Sequence, residues 1–151
     1  MKCTVCHILS GNRMLLKLAS RGVSKGKWNA VGGKIGRGET PVQNAIREAK
    51  EESGLMVSNL FYHGTLKFYL AGKSRLDALV HVYSTRTFSG KARSTKEGRL
   101  KWFGIDKIPY YKMWDDDRFW FGLMLGCRKF DGVFHFDKEN KRVVGYEIRF
   151  R

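Results

Sequence analysis

Three glutamates, Glu48, Glu51 and Glu52, stand at i, i+3 and i+4 in a stretch that reads as a short helix. That spacing puts them on one neighbouring face, where like charges repel by on the order of a few tenths of a kcal/mol per pair. Clustered carboxylates with no obvious side-chain cation among them suit a hard divalent ion, Mg2+ or Mn2+ foremost. A solvated acidic helix face shows the same pattern. The glycine-rich run from Gly32 to Glu39 just ahead favours the first reading, because a loop of small residues can bring backbone close to a ligand.

The helix that must carry these acids is legible at both ends. Thr40 is a good N-cap, Pro41 suits the first helical position and Gln43 completes a capping box. Gly54 is a natural stop. Val42, Ala45, Ile46, Ala49 and Ser53 fall on one stripe, expected to pack inward. Around the helix lie strand patterns. Thr4 to Leu9 and Arg13 to Leu18 read as a hairpin, Leu60 to Leu70 and Leu79 to Thr87 as two more strands, and Leu100 to Ile105 as a fifth. Pro109 to Trp114 reads as a connection, Phe119 to Cys127 as an apolar helix, and Gly132 to Asp137 with Val143 to Phe150 as a closing hairpin. Strands outnumber helices, which predicts one α+β domain over residues 1–151.

The charge balance bounds the partners. Twenty-nine lysines and arginines stand against 14 acids, a net charge of +15. Such a surplus favours polyanions, nucleotides or nucleic acid among them, although a basic surface can also serve solubility alone. Cys3 and Cys6 are three apart on a strand and so point to opposite faces, which disfavours a shared metal. Three cysteines with no second ligand pair fit reduced thiols in a cytoplasmic protein. No signal peptide is visible, and the longest apolar run is too short to span a bilayer. We therefore expect a monomer with no membrane role.

The stretch from Gly33 to Leu55 resembles the Nudix box, G-x5-E-x7-R-E-U-x-E-E-x-G-U with U aliphatic. Gly33, Glu39, Arg47, Glu48, Glu51, Glu52, Gly54 and Leu55 fall in register, and Ala49 is small where a larger aliphatic residue is usual. The resemblance implies a Nudix fold, a mixed β-sheet sandwiched between α-helices, and hydrolysis of a nucleoside diphosphate derivative. It implies metal ligation by Glu48, Glu51, Glu52 and Glu97 with the Gly32 carbonyl. Glu52 is the first choice of base, Arg47 orients the acids, and Glu39 braces loop and helix.

Beyond the box, Lys27 to Lys34, Lys101-Trp102-Phe103, and Met113 to Asp117 with Phe119-Trp120-Phe121 resemble the MutT-type branch that hydrolyses oxidised purine nucleoside triphosphates such as 8-oxo-dGTP. That likeness implies a substrate pocket of Thr4, Asn29, Phe68, Trp114, Asp116 and Asp117, with Lys34 among the cations that hold phosphates. Trp114 and Phe68 offer faces to a purine, and Asn29 offers both a donor and an acceptor. Two adjacent carboxyls need not both ionise, so Asp116 and Asp117 can present a mixed edge. Asp115 to Asp117 also read as helix-capping acids. Ala19 and Val23 replace a lysine and a phenylalanine that border the base pocket in that branch, which implies a wider pocket or another base preference. Competing readings are a Nudix hydrolase of dinucleoside polyphosphates, ordinary nucleotides or capped RNA, the last using Lys91, Arg93, Lys96, Arg99 and Lys101. A non-catalytic nucleotide- or RNA-binding module would be expected to lack one or more box glutamates, and none is missing.

Overall fold

The computed structural model describes residues 1–151. Its strands are β1 (Lys2–Ser10), β2 (Arg13–Ala19), β3 (Trp28–Asn29), β4 (Val31–Lys34), β5 (Met56–Ser58) and β6 (Phe61–Tyr69). They continue with β7 (Ala78–Thr85), β8 (Thr87–Ser89), β9 (Gly98–Gly104), β10 (Phe130–Phe136) and β11 (Val143–Phe150). Two α-helices, α1 (Pro41–Ser53) and α2 (Asp117–Leu125), complete the chain, with short 3-10 turns at Ile105–Lys107 and Tyr110–Lys112. The main sheet runs β11-β10-β6-β7-β1-β2-β3, with β4 also on β1 and β9 also on β2. β1 pairs with β7 and β6 with β10 in parallel, and the other pairings are antiparallel, so the sheet is mixed.

β1 forks the sheet. Its first half, Cys3 to Cys6, pairs with β4, while Leu9 and Ser10 pair with β2. Alternation along β1 then feeds two cores. Cys6 and Ile8 pack with Ala45, Ala49 and Leu55 on the α1 side. Leu9, with Cys3 and Val5, packs on the α2 side among Trp120, Phe121, Phe130 and Phe134. The two cysteines do lie on opposite faces, and all three cysteines are free thiols.

Helix α1 is capped as its sequence predicts. Thr40 Oγ1 accepts from the Gln43 amide at 3.2 Å, and Gln43 Oε1 accepts from the Thr40 amide at 2.9 Å. Gly54, in the left-handed conformation at φ 80°, donates its amide to the Lys50 carbonyl and ends the helix. The inward stripe is rotated from the expected one. Val42 is exposed and Asn44 is fully buried, because the Asn44 amide is needed inside. It accepts from Thr4 Oγ1 at 2.6 Å and donates to the Lys34 carbonyl and to Glu39, each at 2.9 Å.

The expected strand from Leu79 to Thr87 is two strands. Thr85 Oγ1 donates to the Ser58 carbonyl and accepts from the Thr87 amide, which breaks the ladder. β8 then leaves the main sheet to pair with β5, a strand too short to show alternation.

His7 is 1% exposed and neither ring nitrogen has a hydrogen-bond partner. It meets Trp120 and Phe121 edge to face, with centroids 5.4 and 4.9 Å away. Burial, with His63 nearby, lowers its pKa from 6.5 to about 3. The folded chain therefore binds this proton less well than the unfolded one, and stability is lost as pH falls from 6.5 toward 3. We predict that His7→Leu raises stability by about 1–3 kcal/mol at neutral pH by removing two unpaired polar atoms. The gain should widen by about 2 kcal/mol at pH 5, read as thermal melts of both proteins at the two pH values.

Candidate active site

Helix α1 presents Glu48, Glu51 and Glu52 to a cavity of about 420 Å³ whose opposite wall is Thr95, Lys96 and Glu97, from the loop before β9. No apolar residue lines it. Arg47 organises the helix side. Its Nε is 2.6 Å from Glu39 Oε2, and its Nη1 is 3.1 Å from Glu51 and 3.2 Å from Glu48. Glu39 also accepts from the Gly36 amide and from Asn44, both at 2.9 Å. Arg47, then the Gly36 amide and Asn44, draw the Glu39 pKa down to about 2. Glu48 is pushed the other way, raised by burial and by Glu52 and Glu51 against the pull of Arg47.

Of the two glycines ahead of the helix, Gly32 is required by close approach to backbone, while Gly33 lies against the end of the Glu48 side chain. A Cβ on Gly33 would sit 2.6 Å from the Glu48 carboxyl carbon, and one on Gly32 would sit 2.0 Å from the Thr4 carbonyl oxygen. The Gly32 amide donates to Glu52 Oε1 at 2.8 Å. Glu52 Oε2 faces Lys17 Nζ at 2.5 Å, and Arg21 Nη2 is 2.5 Å from Glu97 Oε1. The expectation that no side-chain cation stands among these acids is thus corrected. Arg47 is local, but Lys17 and Arg21 arrive from β2 and the loop after it, out of reach of a reading along the helix.

A second pocket, about 220 Å³ and mostly apolar, lies on the α2 side. Phe68, Trp114, Asp116, Asp117 and Asn29 line it, with Val23, which the resemblance set at its border, and with Trp120 and Val5, which the sequence reading did not assign to it. The Trp114 ring meets Phe136 edge to face, donates Nε1 to Ser24 Oγ at 2.9 Å and has Lys27 Nζ 5.5 Å from its centroid. Asn29 gives its Nδ2 to the Lys27 carbonyl, which leaves Oδ1 to accept. Asp116 and Asp117 are 3% and 9% exposed. Neither serves as a side-chain cap: Asp116, at the N-cap position, makes no capping bond and instead accepts from Trp120 Nε1 at 2.8 Å. Asp115 is the surface acid, paired with Arg118 and accepting from the Val143 amide. Burial raises the pKa of both Asp116 and Asp117, and each raised carboxyl faces the other.

A channel of about 360 Å³ lies between the two sites, sharing Val5, Val23 and Asn29 with the apolar pocket and Glu97 with the carboxylate cavity. Thr4 lines this channel rather than the apolar pocket, its hydroxyl already given to Asn44. Lys34 is not brought to either site. It is exposed at the end of β4, paired with Cys3, and lines neither site nor channel. Of the basic loop residues, only Lys96 lines the carboxylate cavity. Ala19 and Val23 do border the channel, and Val23 also borders the apolar pocket.

A profile of the NUDIX domain matches residues 3–121. Oxidized purine nucleoside triphosphate hydrolase of Danio rerio is 43% identical over 133 residues, covering 88% of this chain and 85% of that protein. The enzyme of the same name from Mus musculus is 38% identical over 146 residues, covering 97% and 92%. The chain belongs to the Nudix family. A MutT protein from Bacillus halodurans superposes with a TM-score of 0.86 at 24% identity, covering 97% of this chain and 96% of that one. The mixed sheet with its two helices is the α+β Nudix fold, and the chain is a Nudix hydrolase.

Carboxylate oxygen is the donor that hard divalent ions take, so the four glutamates of this Nudix hydrolase fit such an ion. As they stand, no three of the acids converge to hold one. Glu48 and Glu51 turn to Arg47, Glu52 to Lys17 and Gly32, and Glu97 to Arg21.

The buried acid pair carries its own signature. Carboxyl groups whose folded pKa is raised leave the fold at full stability below the ordinary carboxylate range, and stability is lost as pH rises from there through the raised value. We predict that Asp117→Asn gains stability relative to the natural protein as pH goes from 5 to 8, measured by denaturant melts at each pH.

Proposed function

We propose that this Nudix hydrolase cleaves oxidised purine nucleoside triphosphates such as 8-oxo-dGTP to the monophosphate and pyrophosphate, with Mg2+. The observation that carries the reading is the buried Asp116–Asp117 pair beside Trp114 and Phe68, one channel away from four carboxylates. Two relatives that cover most of the chain bear the name of that activity.

Oxidation at C8 turns purine N7 from an acceptor into an N–H donor and adds a carbonyl. A pair of carboxyls that shares a proton offers an acceptor and a donor to such an edge, and the free Asn29 Oδ1 offers a further acceptor. Trp114 and Phe68 supply the apolar walls. The triphosphate then lies along the channel past Lys17 and Arg21 toward the glutamates.

Glu48, Glu51, Glu52 and Glu97 would hold Mg2+, which when bound neutralises phosphate oxygens and lowers the pKa of the water it carries. Glu52 accepts the proton of the attacking water, oriented by the Gly32 amide at its other oxygen. Arg47 keeps Glu48 and Glu51 turned to one side of the helix, and Glu39 keeps Arg47 in place.

Pyrophosphate release with Mg2+ from 8-oxo-dGTP, 2-oxo-dATP, dGTP, dATP, a diadenosine polyphosphate and capped RNA tests the reading. An oxidised purine triphosphate should give the highest kcat/KM, and a higher value on any other member overturns the substrate assignment. Glu52→Gln should lower kcat by on the order of 10²- to 10⁴-fold with unchanged far-ultraviolet circular dichroism. Asp117→Asn should change the ratio of kcat/KM for 8-oxo-dGTP over dGTP, and an equal loss on both would remove Asp117 from base recognition.

A further inference from the structure

Lys17 is buried at the seam between the channel and the carboxylate cavity, its side chain only 11% exposed. It comes from the middle of β2, where its backbone is fixed by pairing with Asn29 on one side and Leu100 on the other. Its neighbours Leu16 and Leu18 belong to the opposite core, so alternation turns Lys17 toward α1. There Nζ meets Glu52 Oε2 at 2.5 Å while the Gly32 amide holds Oε1 at 2.8 Å. Both oxygens of a carboxylate that is itself 8% exposed are therefore taken.

An ammonium and a divalent cation cannot share Oε2 at contact distance without strong repulsion in so enclosed a place. Lysine is a compact charge on a flexible stem, and the channel that Lys17 lines gives it somewhere to go. Arg21 repeats the arrangement on Glu97 across the cavity, but at 67% exposure it is free to leave into solvent.

We propose that Lys17 is a stand-in cation. It neutralises and orients Glu52 while no divalent ion is bound, gives way when one binds, and turns to the phosphate oxygens of the nucleotide in the channel. This rests on the reading of the four glutamates as a metal site. Lys17 is then a positioning residue for Glu52 and a phosphate ligand in the loaded enzyme, and it couples the two events by handing its charge from one to the other.

The test is Mn2+ binding without nucleotide, followed by the loss of the free-ion paramagnetic resonance signal, for the natural protein, Lys17→Met and Lys17→Arg. Lys17→Met should bind Mn2+ about tenfold tighter, since the competing charge is gone, while Lys17→Arg should not bind it tighter. In EDTA, inorganic tripolyphosphate should bind Lys17→Met more weakly than the natural protein. Equal Mn2+ affinity in the natural protein and a folded Lys17→Met overturns the proposal. Binding to none of the three overturns the metal reading of the cavity and the proposal with it. A measurement on the unmodified protein stands if Lys17→Met does not fold: reductive methylation read by mass spectrometry. Lys17 should label faster when Mn2+ is added, and an unchanged rate overturns its displacement.

Discussion

Repulsion among four carboxylates gathered about one cavity is the constraint that the rest of the structure answers. The four acids are met by three cations drawn from different parts of the chain. Arg47 lies on the same helix turn, Lys17 reaches over from β2 and Arg21 from the loop beyond it. The backbone joins in, because the pairing of β4 with β1 brings the Gly32 amide to Glu52 and sets Gly33 against the Glu48 carboxyl. The helix caps, the buried Asn44 and the Glu39 brace all serve to keep that geometry still. On the proposed reading, hydrolysis depends on holding like charges together without neutralising them for good.

The other end of the channel solves the same problem by the opposite means. Asp116 and Asp117 have no cation beside them; they are surrounded by Trp114, Trp120 and Phe68 and the Trp120 indole N–H. In such surroundings a carboxyl keeps its proton rather than acquire a counterion. One protein thus has acids that stay charged through partners and an acid pair that burial keeps from ionising together. The first set suits phosphate and metal, and the second suits the hydrogen-bonding edge of a base.

Much of this was legible in the residues alone. The helix with its capping box and glycine stop, both hairpins and the opposite facing of Cys3 and Cys6 follow from local pattern, which is set by a few neighbouring residues. What escaped was set by distant partners. Val42 is exposed because Asn44 must face inward to serve Thr4, Lys34 and Glu39, and no periodicity announces that exchange. Thr4 is on the channel and Lys34 is off it because a strand pairing decides, not a motif. Lys17 did leave a trace, a lone charge inside Met14-Leu15-Leu16-Lys17-Leu18, where a buried partner is the ordinary explanation.

The forked strand β1 has a longer reach. Thr4 faces the helix that holds the glutamates, and its neighbour Val5 faces the pocket with Trp114 and the two aspartates. Apart from the channel, the two halves of the site share few side chains and are separated by the thickness of a sheet. On the proposed reading, a change in the α2 layer alters the base selected and leaves the carboxylates under α1 as they are.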